Sequence, residues 1–520
     1  MSLEFIKENI KLSQVAGEES TQTVVENDII VPDIKPDISR ILLFDGTSTV
    51  KSAETIQDKI LINGIISYKI LYLSDEAEQR LKSMNSNVNF SYDLDVPNAR
   101  HGMKCRVRCD VEHIDFNILN GRKINTKTIM RLSGKVINNV EQDIVNDLQG
   151  VEDIQILKES VNVNCFVGES ESEFTVRESL EVPAGKPAIR DILRNDIRIT
   201  GKDFKIADNR IVIKGDLNVS TLYLGDDETQ SIQFMEHEFP FTHFVGLDGM
   251  SENDRCDICC HIADAKFEPQ EDSDGELRIL NAEILLNISV AGFTSRNIYI
   301  IADAYNPRAN LVLEKEPFLF EDMAAECKSQ ITLKDTIVIP EGNPDIAEVF
   351  NVISKPTLSD YKIIDDKLIL EGEVDNNILY LADNSEQPVS GHRQEVLFKQ
   401  EIDIRGIKPG MSCDIDLGIE HCNYSMLSSN EVEIRLVVGV NARIFRRYTL
   451  PLIVKVNEFP LDDKKLLAQP SITIYFAQPG DTLWKVAKKY YTTMAEIQRV
   501  NNISSSDALS VGQQIIIPKR

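Results

Sequence analysis

The chain has 520 residues, 42% of them hydrophobic and 27% charged, which is enough apolar sequence to form three or four domain cores. Its 56 Lys and Arg residues against 83 Asp and Glu residues give a formal net charge of −27. A surface this acidic repels phosphate backbones and anionic lipids, which argues against nucleic-acid or membrane-surface binding by the body of the protein.

A pattern of landmark residues occurs three times along the chain. The second copy lies 151 positions after the first, and the third lies 157 positions after the second. The landmarks are Pro36, Pro187 and Pro344; Gly64, Gly215 and Gly372; Tyr72, Tyr223 and Tyr380; and Cys105, Cys256 and Cys413. The copies are too long for solenoid units of roughly 20–50 residues, so each is predicted to fold around its own core. We therefore place repeat one at residues 1–157, repeat two at 158–315 and repeat three at 316–457, followed by a linker at 458–471.

Each repeat has an early turn with two prolines four positions apart, such as Pro32 and Pro36 in repeat one. Proline fixes φ and cannot donate to a sheet ladder, so this pair is predicted to end a strand and set a corner. The residues that follow, 37–42, could form a short helix. A shared docking loop is the alternative interpretation, and the structural corner is favoured because proline turns are rigid.

A hairpin and a long strand come next in each repeat. Asp208-Asn209 in repeat two and Asp365-Asp366 in repeat three suit a two-residue turn with positive φ. The landmark glycine that follows indicates a bulge or a close approach of two backbones. Beyond it, apolar and polar residues alternate in repeat two: Leu217, Val219, Thr221 and Tyr223 share one face, and Asp216, Asn218 and Ser220 share the other. This period of two predicts a strand with one buried face and one face in water.

The fold class predicted from these patterns is mainly β. It consists of three tandem all-β, sandwich-like repeats followed by a small βααβ domain. One residue departs from the pattern, because Asn376 in repeat three falls on the apolar face of its strand. A polar side chain there needs a hydrogen-bond partner or an exposed location.

Residues 472–520 have a different pattern from the repeats. Residues 474–477 are predicted to form a strand and 483–490 a helix, with a cap at Asp481 or Thr482. A second short helix follows Thr493 and stops at Asn501-Asn502, and residues 514–518 form a closing strand. From residue 471 onward the chain has six Lys and Arg residues against three Asp and Glu residues. A basic end on an acidic body indicates a recognition function for this end.

This last stretch closely resembles the LysM family. The resemblance rests on Tyr475, Pro479-Gly480-Asp481-Thr482-Leu483-Trp484, Ala487, Tyr490, Ile497, Asn501-Asn502 and the run from Gly512 to Pro518. LysM domains commonly bind glycans that contain N-acetylglucosamine, such as peptidoglycan or chitin. The resemblance implies a shallow groove between two loops, one holding Gly480, Asp481, Thr482 and Leu483 and the other holding Asn502, Ile503 and Ser504. Many of these residues are also needed for the fold, so a purely structural duty is the competing interpretation for each.

Trp484 is the single tryptophan of the chain. Tryptophan is enriched at binding hot spots, and its ring suits both sugar stacking and protein interfaces, so Trp484 joins the candidate site. Packing against its own helix is an equally weighted alternative.

The order of three repeats and one LysM domain resembles that of the clostridial spore-coat morphogenetic proteins, whose repeat is a sporulation-associated domain of unknown biochemistry. The resemblance implies a scaffold in the mother-cell cytoplasm at the forespore surface, which binds the coat-basement morphogenetic ATPase through the LysM domain and also meets other coat proteins. The first residues lack the pattern of an export signal, and nine cysteines form no regular disulfide framework. Both features favour a reducing cytoplasm, where a glycan would be an awkward ligand. Binding of peptidoglycan-type glycan is therefore kept as the alternative function.

The strongest motif for chemistry is the run from Cys256 to His261, which also holds Cys259 and Cys260. A zinc site would need a second cysteine pair at a set spacing, and none occurs. Neighbours on a strand point to opposite faces, which separates His261 from Cys260. We therefore expect half-buried thiols, no metal, no cofactor, no catalytic residue and no enzymatic activity. A cell-wall hydrolase, the third hypothesis, would need a catalytic domain that these repeats do not offer.

Overall fold

The computed structural model describes residues 3–75, 80–383, 388–461, 470, 472–503 and 509–518. Within these ranges the chain forms three β repeats and a small C-terminal domain of two strands and two helices. The predicted fold class is thereby confirmed. Ser504 and most of the predicted linker at 458–471 lie outside the described residues.

Each repeat contains six strands in the same order. Repeat one comprises β1 (Glu4–Ile30), β2 (Ile38–Ile56), β3 (Lys59–Ser74), β4 (Leu81–Asp95), β5 (Lys104–Asn120) and β6 (Lys123–Gln149). Repeat two comprises β7 (Gln155–Glu181), β8 (Ile189–Ala207), β9 (Arg210–Gly225), β10 (Ile232–Gly246), β11 (Arg255–Glu271) and β12 (Leu277–Tyr305). Repeat three comprises β13 (Ala309–Val338), β14 (Ile346–Ile364), β15 (Lys367–Ala382), β16 (Val389–Asp403), β17 (Ser412–Met426) and β18 (Glu431–Pro460). The boundary placed at 157/158 falls inside β7, and the one placed at 315/316 falls inside β13.

Two three-stranded antiparallel sheets face each other in every repeat. In repeat one, β3 lies between β2 and β4, and β6 lies between β1 and β5. Repeats two and three have the same strand order. The apolar side chains between the two sheets form one core per repeat. Each repeat is therefore a sandwich with its own core, as the length of the repeat predicts.

The landmark tyrosines and prolines are hydrogen-bonded to each other. The hydroxyl groups of Tyr72, Tyr223 and Tyr380 donate to the carbonyl oxygens of Pro36, Pro187 and Pro344, each at 3.1 Å. This bond ties the proline corner to the central strand. The short helix considered at 37–42 is wrong, because Ile38–Ile56 is strand β2 and its backbone pairs with β3.

The landmark glycines allow two strands to approach closely. A Cβ on Gly372 would lie 2.4 Å from the carbonyl oxygen of Thr357 and 2.6 Å from the ring of Phe398. A Cβ on Gly64 or Gly215 would lie 2.5 or 2.8 Å from the ring of the equivalent phenylalanine. A bulge is also present, but it lies on the neighbouring strand opposite the glycine. The glycine is required because any side chain would collide with that neighbour.

The hairpin turns have the positive φ that their sequence predicts. The second turn residue has φ of 56°, 57° and 58° in the three repeats, at Asp58, Asn209 and Asp366. The side-chain oxygen of each also accepts a backbone N–H forty positions ahead, at 2.9, 2.8 and 2.6 Å. Asp and Asn suit both duties, because they tolerate the left-handed conformation and offer an acceptor.

Asn376 has a partner, as its position on the apolar face requires. It is fully buried, and the hydroxyl of Ser354 on β14 donates to its side-chain oxygen at 2.6 Å. Its amide nitrogen donates to the carbonyl oxygen of Val374 at 3.0 Å.

The outer halves of the long strands leave the sandwiches as two-stranded ribbons. From Val140 to Gln149, β6 pairs with β1, whereas its pairing with β5 ends at Ile137. A two-stranded ribbon is only marginally stable by itself. The three ribbons pack on one another: Leu12, Val163 and Phe320 share one cluster, and Val145, Ile301 and Ile453 share the next. Each trio consists of equivalent positions of the three repeats.

A further shared cluster lies where the central strands end. Leu71, Leu222 and Leu379, again at equivalent positions, are all buried in it. Because equivalent residues of all three repeats meet in each shared cluster, the repeats surround a common axis with approximate threefold symmetry. The prediction that one face of β9 is exposed to water is wrong at the C-terminal end of the strand. Ser220 is 4% exposed there because the neighbouring repeats cover that face.

Ion pairs also join the repeats. Asp257 of repeat two contacts both Arg106 of repeat one and Arg443 of repeat three. Burial opposes the ionisation of Asp257, but the two arginines outweigh it and hold the pKa of this carboxyl below its usual value. Lys135 of repeat one contacts Asp414 of repeat three at 2.9 Å. The three repeats therefore form one body rather than a string of independent domains.

The C-terminal domain follows the predicted order of elements. It consists of β19 (Ile472–Phe476), α1 (Leu483–Lys489), α2 (Met494–Asn501) and β20 (Gln514–Pro518). Thr482 caps α1, and Thr493 forms a capping box with Glu496 at the start of α2. Within the described residues, no helix has the length and apolar character needed to cross a membrane.

Candidate functional site

The loop before α1 is held by its own hydrogen bonds. Gly480 has φ of +83°, which only glycine adopts without strain. The carboxylate of Asp481 accepts the hydroxyl of Tyr475 at 2.5 Å and the backbone N–H of Gln478 at 2.8 Å. The hydrogen bond to this carboxylate, with a smaller effect of burial, raises the pKa of Tyr475 to about 12. Thr482 accepts the backbone N–H of Lys485 at 3.2 Å. These residues shape the loop and leave Gly480 exposed beside it.

The second loop of the candidate groove begins at the end of α2. Asn502 is exposed and adopts the left-handed conformation, with φ of 51°. The backbone N–H of Ile503 donates to the carbonyl oxygen of Gln498 at 3.1 Å, and its side chain packs against the domain core. Ser504 lies outside the described residues. Leu483, in the first loop, is fully buried in the core, so its side chain is closed to a ligand.

Trp484 packs against repeat two as well as against its own domain. Its indole N–H donates to the carboxylate of Asp303 at 2.8 Å. The ring meets Tyr305 edge to face, with 4.9 Å between centroids and 75° between planes. Lys488, one helical turn further on, forms an ion pair with Asp303 at 2.7 Å. The side chain of Trp484 is left only 6% exposed.

We call the group of Leu157, Asp303 and Tyr305 the LysM seat. The hydroxyl of Tyr305 donates to the carbonyl oxygen of Thr492 at 2.9 Å, and the side chains of Tyr305 and Leu157 join the core of the C-terminal domain. A register shift after Ile301 marks a bulge in β12 immediately before Asp303. Sequence reasoning missed the seat because Asp303 and Tyr305 lie about 180 positions before Trp484, Leu157 lies still earlier, and all three belong to another domain.

The C-terminal domain has an apolar outer face. Ile472, Ile474 and Phe476 are 62%, 55% and 54% exposed, and they alternate along β19. Tyr475 points the other way and packs against the core of the domain. Three large apolar side chains in a row on one face of a strand are unusual on a surface with no partner. We define these three residues as the outer face.

The cysteine cluster of repeat two is divided between two faces of β11. Cys256 and Cys260 pack against the core of the repeat, whereas Cys259 is exposed. Burial, together with the neighbouring Asp257, raises the pKa of Cys256 to about 12. Thiols with raised pKa values are poor nucleophiles at neutral pH. In the parts of the chain that the structure describes, no group of three or more His, Cys, Asp or Glu side chains is placed to hold a metal ion.

Comparison with known families agrees with this architecture. Residues 37–119, 188–270 and 345–427 match the family model described as SipL, SPOCS domain, and residues 475–518 match the LysM domain. Each SPOCS match runs from β2 to the end of β5 or its equivalents, so the ribbon strands lie mostly outside it. No solved structure matches the chain. The chain is thus a protein of tandem sporulation-associated β domains followed by a domain of the glycan-binding LysM class. Its three SPOCS domains and single LysM domain give it the architecture of SipL.

Proposed function

We propose that the protein is a non-enzymatic scaffold for assembly of the endospore coat, located in the mother-cell cytoplasm at the forespore surface. In this role it binds the coat-basement morphogenetic ATPase through its LysM domain and brings further coat proteins to it. The SPOCS matches support a role in sporulation. The raised thiol pKa values give no support to a cysteine nucleophile.

The observation that carries the proposal is the outer face of the LysM domain. Burying three large apolar side chains on a partner releases their ordered water, which is the main driving force in protein association. A row of two isoleucines and one phenylalanine suits another protein surface better than a sugar covered with hydroxyl groups. The face remains open while Trp484 is covered by repeat two, so it is available in the docked domain.

The proposal is tested with an outer-face variant, Ile474→Asp. A charge at the centre of the patch that the partner would bury is expected to weaken binding of the purified ATPase by about 2 kcal/mol or more, roughly thirtyfold. Calorimetry or biolayer interferometry measures the change. Val511→Asp is the matched control, because Val511 is also a large exposed residue of the LysM domain, at 68%, but lies off β19. Full affinity in Ile474→Asp would exclude the outer face as the binding site, and full affinity in a chain that lacks residues 471–520 would exclude the LysM domain.

Peptidoglycan binding is the second candidate function, because the LysM match covers both groove loops and Gly480 and Asn502 are exposed. Sedimentation with purified peptidoglycan at micromolar protein tests it. Binding that is lost in Asn502→Ala and kept in Ile474→Asp would favour the glycan. No sedimentation above a control without peptidoglycan would reject it.

A further inference from the structure

The LysM seat is specific to repeat two. Strand pairing makes Asp303 equivalent to Asp147 in repeat one and to Lys455 in repeat three. By the same pairing, Tyr305 is equivalent to Gln149 and not to an aromatic residue. In repeat one the carboxylate of Asp147 accepts the next backbone N–H at 3.0 Å, just as Asp303 does. The local backbone geometry and the aspartate are thus shared with repeat one, whereas the tyrosine that packs against Trp484 is not.

The end of repeat three brings the LysM domain next to this seat. Pro460, the last residue of β18, pairs with Ala309, and Ala309 in turn bridges to Asn306. Asn306 directly follows Tyr305 of the seat. Only residues 461–471 separate Pro460 from β19. A short tether gives a domain an effective concentration in the millimolar range at a neighbouring surface, so even a weak contact is occupied.

The contact between repeat two and the LysM domain combines a small number of apolar and polar side chains. Among the described residues, repeat two contributes Tyr305 and Leu157 to the apolar core of the LysM domain. Asp303 adds the hydrogen bond from Trp484 and the ion pair with Lys488, whose side chain is 42% exposed. An ion pair with an exposed partner contributes little to stability. The short tether therefore helps to keep a contact of this kind occupied.

We propose that repeat two is a releasable latch for the LysM domain. In the docked state, Asp303 and Tyr305 cover Trp484, Asp303 pairs with Lys488, and the outer face is held in a fixed direction. In the released state, the LysM domain remains tethered, and Trp484 with the neighbouring Lys488 becomes accessible. A ligand of the Trp484 surface must therefore displace repeat two, and its apparent affinity is lowered by the fraction of molecules that are docked. A ligand of the outer face binds in both states.

Trp484 is the single tryptophan, so its fluorescence in the full chain reports docking directly. Asp303→Ala is expected to shift the emission to longer wavelength and to raise acrylamide quenching several-fold. Lys488→Ala is expected to change both in the same direction but less, because the bond from Trp484 to Asp303 remains. Lys488→Ala lies on a partly exposed helix surface, so it leaves the domain folded.

Asp147→Ala, the equivalent change in repeat one, is the matched control and should leave emission and quenching at the wild-type values. Tyr305→Phe keeps the ring and removes the hydrogen bond to Thr492, and it should give an intermediate quenching constant. Wild-type emission and quenching in Asp303→Ala would overturn the latch. Equal shifts in Asp303→Ala and Asp147→Ala would also overturn it, because they would indicate a general loosening of the body. None of these readings depends on the partner of the LysM domain.

Discussion

The shared core at the axis predicts that one buried leucine stabilises all three repeats. Leu222 of β9 is 2% exposed and meets Leu71 and Leu379 from the other two repeats. Leu222→Ala removes about three carbon groups, worth roughly 0.8 kcal/mol each on transfer to water. The cavity left between three domains adds to this loss, so we expect a destabilisation of about 3 kcal/mol, within the range of buried leucine truncations.

Hydrogen exchange followed by mass spectrometry separates this prediction from a local effect. Leu222→Ala should speed exchange in β3 and β15 as well as in β9, because the three strands meet at the same cluster. Leu217→Ala is the comparison, since Leu217 is fully buried in the core of repeat two alone. Its effect should be largest within repeat two. If Leu222→Ala changes exchange in repeat two only, the repeats are independent and the inference of a shared core fails.

Two further predictions concern stability. Asp257→Asn should lower the free energy of unfolding at pH 7 by about 2 kcal/mol, because it removes the charge that pairs with Arg106 and Arg443. Since the folded-state pKa of Asp257 is lowered, wild type should be more stable than the variant above about pH 4 and should lose this difference as the pH falls further. Urea titrations at several pH values measure the difference, and a constant difference down to pH 3 would contradict the prediction. Gly372→Ala should lower the free energy of unfolding by about 2 kcal/mol through overpacking. Gly418→Ala is the control and should lower it far less, because a Cβ there would meet nothing within 4 Å. Equal urea midpoints for the two variants would refute the close approach at Gly372.

Local chemistry was predictable from the sequence where one residue type has few alternatives. The turn at Asp366 and the close approach at Gly372 follow from backbone geometry that few residues satisfy. The elements of the LysM domain follow from caps such as Thr482 and from helical spacing. Leu222 shows where such reasoning stops. Leu222 lies on the same face of β9 as Ser220, which the alternation predicts to be in water. It is buried by strands more than 140 positions away in the sequence.

The candidate site shows the same limit. The sequence singled out Trp484 and left packing and partner binding equally weighted. The structure places its ring against Tyr305 of repeat two, a contact that no pattern within the LysM domain can encode. The outer face was present in the sequence as the alternation of Ile472, Ile474 and Phe476. It could have been recognised, because in a two-stranded sheet covered by helices on one side the other side has no cover within the domain.

Because the three repeats lie in one chain and differ in sequence, they make contacts that a trimer of identical repeats cannot make. The position at 106 in repeat one is Arg, and its equivalents in repeats two and three are Asp257 and Asp414. Around an exact threefold axis one residue type would face its own copies, and like charges brought together repel. With three different repeats in one chain, Asp257 instead lies between Arg106 and Arg443, and Asp414 pairs with Lys135. The same loss of symmetry gives repeat two the LysM seat. The repeats share a fold, but their places around the axis are not interchangeable.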